Sequence, residues 1–132
     1  MHDPASAPFV AIVDDEEPVR KALGRLLDAL GLRVQSFVDC RSFLAFLEGQ
    51  RPDCLILDLH MPGMSGLELL QAMKARGEAL PTIVITAHDE PETRGRCLRA
   101  GACVYLRKPL DGTVLMEAIA EALGGSQVIV PR

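Results

Sequence analysis

The chain predicts an α/β fold, a five-stranded parallel sheet with helices on both faces. Three observations lead there. Five short runs, FVAIV, LRVQSF, CLIL, TIVIT and CVYL, alternate with segments whose apolar residues recur at helical spacing. Most of these runs are continuously apolar, as strands covered on both faces are. Alternation of strand and helix is the pattern of a parallel sheet sandwiched between two helical layers.

The elements follow in order. FVAIV, 9–13, is the first strand. Val19, Leu23, Leu26, Leu27 and Leu30 then form a helical stripe, opened by Pro18 and stopped by Gly31. LRVQSF, 32–37, is the second strand, and Asp39 caps a short helix that carries Phe43, Leu44 and Leu47 and stops at Gly49. CLIL is the third strand, followed by a helix over 66–76 with Leu67, Leu70 and Met73 on one face. TIVIT, 82–86, is the fourth strand. The fourth helix, PETRGRCLRAG (91–101), is poor in apolar residues and weakened by Gly95. CVYL, 103–106, is the fifth strand, and the last helix runs from about 111 to 123 with Val114, Leu115, Ala118, Ile119 and Ala122 facing inward.

Composition narrows the function. The chain has 132 residues, 48% hydrophobic and 24% charged, which suits one domain with a real core. A net charge of -4 argues against direct nucleic-acid binding by this chain. No apolar run reaches a membrane span and the start lacks the features of a secretory signal, so the expected location is the cytoplasm. Cys40, Cys54, Cys97 and Cys103 form no C-x-x-C pair or zinc spacing and read as small buried apolar side chains in a reducing compartment. The expected division is a flexible lead over 1–8, one domain over 9–123, and a tail or the start of a linker over 124–132.

Open parallel sheets hold their functional crevice at the carboxyl ends of the strands. The first strand ends in Asp14 and Asp15, the third in Asp58, the fourth in Thr86, and the fifth leads into Lys108 and Pro109. Each residue alone has an ordinary explanation: a helix cap, a turn, a β residue, a surface lysine. Together they place three carboxylates in one crevice, where like charges would force a proton onto one of them unless a cation intervened. All-oxygen ligands suit Mg²⁺, which binds through one or two carboxylates and keeps waters for a phosphate donor. Asp58 then reads as a carboxylate nucleophile, with the metal and Lys108 balancing its charge and Thr86 supplying a hydroxyl.

The segments VDDEEPVR, LILDLHMPGMSGLELL, ITAHDE, AGA and YLRKPL resemble the receiver domain of bacterial two-component response regulators over roughly 9–123. The resemblance implies a flavodoxin-like (βα)5 receiver fold that takes a phosphoryl group from a histidine kinase or histidine phosphotransfer protein onto Asp58. It further implies that Asp15 and Asp58 bind Mg²⁺ directly, Asp14 through water, and His60 through its backbone carbonyl. Lys108 would contact the phosphoryl oxygen, Thr86 and Tyr105 would form the switch, and Lys108–Pro109 would be the family's cis peptide. His60 and His88 flank the site and are expected to influence water access rather than to bind the metal. The expected readers are an output domain or protein partner, or a phosphorylation-dependent homodimer, at a face formed by the fourth helix, fifth strand and fifth helix.

Two other classes compete. A Mg²⁺-dependent phosphohydrolase with an aspartyl nucleophile would place a second Asp where His60 stands. A degenerate receiver acting only as a binding module would lack a site residue, whereas Asp14, Asp15, Asp58, Thr86 and Lys108 are all present. The chain is therefore expected to be a switch that catalyses only its own phosphorylation and dephosphorylation.

Overall fold

The computed structural model describes residues 7–124. Ten elements alternate along them: β1 (Phe9–Val13), α1 (Glu17–Ala29), β2 (Arg33–Phe37), α2 (Cys40–Phe46), β3 (Cys54–Asp58), α3 (Gly66–Ala75), β4 (Thr82–Thr86), α4 (Pro91–Arg99), β5 (Ala102–Arg107) and α5 (Gly112–Ala122). All strand pairs are parallel, in the order β2-β1-β3-β4-β5. The chain builds outward from β1 first to one side and then to the other. That reversal opens a crevice between the carboxyl ends of β1 and β3.

The strands feed two apolar layers because successive side chains point to opposite faces. Ala11, Val13, Leu55, Leu57 and Val84 pack under α2, α3 and α4 with Phe37, Phe43, Leu69, Leu70 and Met73. Val10, Ile12, Ile56, Ile83 and Ile85 pack under α1 and α5 with Leu23, Leu27, Leu115 and Ile119. Every residue of β3 and β4 is buried, whereas the outer strands β2 and β5 are mixed. Helix starts follow local chemistry. Asp39, Ser65 and Asp111 accept hydrogen bonds from first-turn amides, and Ser65 with Glu68 completes a reciprocal capping box. The helices α1 and α4 have no such cap and instead carry a proline in the first turn.

Some details depart from the sequence reading. Leu67 is only partly buried, and Leu69 takes the fully buried place beside Leu70 and Met73, so the inner face of α3 is rotated relative to the expected stripe. Val114 is 43% exposed, because the inner face of α5 runs through Leu115, Ala118 and Ile119. Cys40, Cys54 and Cys97 are buried, and burial pushes the Cys40 and Cys54 thiols up to about 12. Cys103 is exposed, contrary to expectation. It is the extra residue of a bulge, since Thr82 pairs with Ala102 and Ile83 with Val104.

At the amino end, Ala7 is buried and its carbonyl accepts from the Arg33 guanidinium, while the Pro8 carbonyl accepts from the Arg33 amide. The rest of the expected lead and all but the first residue of the expected tail lie outside the described residues. Among the described residues no helix is long and apolar enough to cross a membrane.

Candidate functional site

The crevice collects charge in an order set by the loop after β1. The Asp14 side chain is fully buried. One of its carboxylate oxygens accepts from the Glu16 amide at 2.8 Å and the other from the Lys108 ammonium at 3.1 Å. The Asp14 carbonyl accepts from the Arg20 guanidinium. The tight turn from Asp14 to Glu16 leaves Asp15 exposed and brings the Glu16 carboxylate back over the crevice, 3.0 Å from the Lys108 nitrogen. Asp58 closes β3 and is 3% exposed, with its Oδ1 3.6 Å from the same nitrogen. Lys108 is held there because its amide donates to the Thr86 carbonyl at 2.7 Å, and the Lys108–Pro109 bond that follows is cis.

Oxygens of Asp14, Glu16 and Asp58 lie within 4.8 Å of one another. One ammonium faces three carboxylates, so a surplus of negative charge remains. Burial first, and then the Asp14 charge, push the Asp58 carboxyl up to about 6 against the opposing pull of Lys108 and the His60 amide. Burial works against the Lys108 ammonium, but hydrogen bonds to Glu16 and Asp14 and the Asp58 charge outweigh it and push its pKa up. An oxygen-only donor set, two buried carboxylates and one exposed, with uncompensated charge fits a hard divalent cation such as Mg²⁺. The geometric cluster contains Glu16, and Asp15 is outside it.

The α3 terminus packs directly on the backbone that follows β3. A Cβ on Gly66 would sit 2.7 Å from the Asp58 carbonyl oxygen and 2.8 Å from the Leu59 Cα, so only glycine lets the α3 terminus come this close. Across the crevice, the Thr86 hydroxyl is buried and engaged by its own loop. It donates to the His88 carbonyl at 3.1 Å and accepts from the His88 amide at 3.0 Å. Tyr105 is half-buried against the α4 side of the core, and its hydroxyl is buried. The ring is already packed inward, with its hydroxyl away from solvent. His60 and His88 are exposed and meet edge to face with centroids 5.4 Å apart. They border a cavity of about 450 Å³ with Ala87, Asp89, Glu90 and Arg107.

The structure thus gathers Asp14, Asp58 and Lys108, with Thr86 on the adjoining strand end. Three participants were not anticipated: Glu16, Gly66 and Arg94, whose guanidinium lies 5.3 Å over the Tyr105 ring. The serine-glycine pair before a glutamate, Ser65-Gly66 ahead of Glu68, was a readable sign of a helix start at the crevice. Nothing local in the sequence marks Arg94.

Comparison with known proteins agrees with this geometry. Residues 10–120 match the family model for the response regulator receiver domain. The chain is 42% identical over 113 residues to the transcriptional regulatory protein FixJ of Rhizobium meliloti, covering 86% of this chain and 55% of that protein. It is 37% identical over 123 residues to the response regulator protein TodT of Pseudomonas putida, covering 93% and 53%. It therefore spans about half the length of these relatives. Among solved structures, FixJ-N superposes with a TM-score of 0.82 at 41% identity, covering 93% of this chain and 95% of that one. The chemotaxis protein CheY4 of Vibrio cholerae superposes with a TM-score of 0.83 at 28% identity, covering 89% of this chain and all of that one. On a family match that spans both halves of the crevice and nearly every element around it, this chain belongs to the response regulator receiver domain family.

Proposed function

We propose that this domain is a phosphorylation-controlled switch in which Asp58 takes a phosphoryl group from the phosphohistidine of a histidine kinase or phosphotransfer protein. The observation that carries the reading is the placement of Asp58. It is a buried carboxylate at the end of the central strand, 3.6 Å from Lys108 and beside Asp14. In the transfer, the phosphorus–nitrogen bond of phosphohistidine breaks as a bond forms from an Asp58 oxygen to phosphorus, and the histidine nitrogen takes up a proton. Lys108 offers its ammonium to the oxygens on which charge accumulates, and Asp14 and Glu16 hold that ammonium in place. Asp14, Asp15, Asp58 and the His60 carbonyl would hold Mg²⁺, with Glu16 as the carboxylate that the geometry adds. When bound, the ion neutralises phosphoryl oxygens and lets Asp58 remain ionised.

The product carries new negative charge and strong acceptor oxygens at the end of β3. Thr86 then exchanges its bonds to His88 for one to the phosphoryl group, and Tyr105 repacks. The output face is formed by α4, β5 and α5, where Leu98 on α4 is 46% exposed and Val114 on α5 is 43% exposed. An output domain, a protein partner or a second phosphorylated copy reads this face, and the chain itself contacts no nucleic acid. The relatives' names describe transcriptional and response regulators, which supports a cytoplasmic signalling role. The domain turns over no separate substrate and acts only on its own phosphoryl group, with the exposed His60–His88 pair shaping access of water.

The test is intact mass after treatment with acetyl phosphate and Mg²⁺. One added phosphoryl group is expected on the wild type and none on Asp58→Asn. Equal labelling of the two proteins would overturn the assignment, as would full labelling in excess chelator.

A further inference from the structure

We propose that Arg94 is a positioning residue that ties the two switch residues together, so that Tyr105 responds when Thr86 moves. The proposal rests on the reading of Thr86 and Tyr105 as the switch.

Arg94 lies in the first turn of α4, its amide bonded to the Glu90 carbonyl at 2.9 Å. Its guanidinium does two things at once. One edge forms an ion pair with Asp89 Oδ2, and its Cζ stands 5.3 Å from the Tyr105 ring centroid. A planar guanidinium can hydrogen-bond through its edge while stacking through its face. The two groups it joins are otherwise weakly held. Asp89 Oδ1 and the Tyr105 hydroxyl are both buried without a hydrogen-bond partner. Buried polar atoms of this kind are normally satisfied, and the Glu90 backbone and the Asp89 charge are the groups beside the Tyr105 hydroxyl.

The other end of this linkage is Thr86. Its hydroxyl both donates to and accepts from the backbone of His88, the residue before Asp89. Contacts therefore run without a gap from the Thr86 hydroxyl through His88 and Asp89 to Arg94 and the Tyr105 ring. When Thr86 turns toward a phosphoryl group on Asp58, His88 loses both bonds to it. The Asp89 carboxylate shifts with the loop, and the guanidinium bonded to it moves relative to the ring. Without Arg94, Thr86 can still turn, but the loop no longer grips Tyr105.

The protein supplies its own probe. Tyr105 is the single tyrosine and tryptophan is absent, so intrinsic emission reports this ring alone. Beryllofluoride with Mg²⁺ imitates the phosphoryl group, and fluorine NMR of the bound species measures loading independently of the ring. The ratio of loaded to unloaded emission is compared among variants. Wild type is expected to change its emission on loading. Arg94→Ala is expected to load fully while its change falls to less than about a third of the wild-type amplitude. Asp89→Asn should show a similar loss, and the double variant no further loss, because the two side chains act as one link. A wild-type amplitude in Arg94→Ala overturns the proposal while leaving the switch reading intact, as do losses that add in the double variant. A wild type that loads without any emission change overturns the link together with the assignment of Tyr105. A wild type that does not load at all overturns the phosphoryl-acceptor reading itself.

Discussion

The two sides of the crevice are built to different standards. On the β1–β3 side, both strands are almost wholly buried, and Asp14 has partners on both carboxylate oxygens and on its carbonyl. On the β4–α4–β5 side, α4 buries only Cys97, β5 is half-exposed, and two buried polar atoms lack partners. The first region holds Asp14 and Asp58, and the phosphoryl transfer proposed for Asp58 would need positions fixed within a fraction of an ångström. Apart from the wholly buried β4, the second has the sparse burial of the low-stability end of a fold, where elements that change position are found. On the proposed reading, chemistry sits on the firmly packed half and response on the other, joined by Thr86 and Lys108, whose backbones are bonded to each other.

The carboxylate cluster should fail most steeply when the ammonium it shares is removed. Lys108→Ala leaves Asp14, Glu16 and Asp58 facing one another without the ammonium that all three share. Loss of one preorganised charge of this kind typically lowers a rate by roughly 10²–10³-fold, and that fall is expected in labelling by acetyl phosphate. The measurement is the initial rate of mass increase at saturating Mg²⁺. A fall of less than threefold would mean that Lys108 serves packing rather than the incoming charge.

A second test uses the strain of holding a carboxylate there. The Asp58 carboxyl is raised from 3.8 to about 6, so the folded state holds its proton more tightly than the unfolded state. Between those two values the folded chain is protonated and the unfolded chain is not, and stability therefore falls as pH rises through the window. Above about pH 6 the full penalty is present; below about pH 4 it is gone. Asp58→Asn removes the ionisation, so in chelator it should be more stable than wild type by on the order of 2–3 kcal/mol at pH 8. The gain should shrink to near zero at pH 3.5. Urea unfolding at the two pH values measures it, and an equal difference at both would show that Asp58 is not the strained group.

These contrasts also separate what could be read from the residues alone. The sheet was legible because buried parallel strands and helical stripes have different periods. The site was legible because strand ends converge once the sheet is assumed. Glu16 was not, because the residue that turns inward after β1 depends on the turn closed by the Asp14 side chain on the Glu16 amide. The places of Leu69 and Val114 were missed because a stripe on a short helix leaves its rotation uncertain by about one position. Cys103 depends on a bulge, and Arg94 on a contact between α4 and β5, and neither has a local signature. Long-range side-chain meetings of this kind exist only after the strands have been placed.

The smallest expected effect comes from one substitution made in both halves. In Gly66→Ala the added carbon would meet backbone atoms of Asp58 and Leu59 at 2.7–2.8 Å, and backbone at a buried strand end cannot easily yield. Overpacking at such a point costs about 1–3 kcal/mol. In Gly95→Ala the added carbon meets only the tip of the Arg99 side chain at 3.2 Å, a flexible group that can move aside. Gly95 lies within α4, where replacing glycine by alanine contributes about 0.5–1 kcal/mol of helix stability. The two changes should therefore have opposite signs in urea unfolding. Gly95→Ala should also slow amide exchange across 91–99 by a few-fold, following the same free-energy gain. If α4 is loose in order to move, the firmer helix should respond less to beryllofluoride than wild type does, even though the protein is more stable. A stabilised α4 with an undiminished response would place the moving part in the β4–α4 loop alone, and the boundary between the rigid and responsive halves would shift to Glu90.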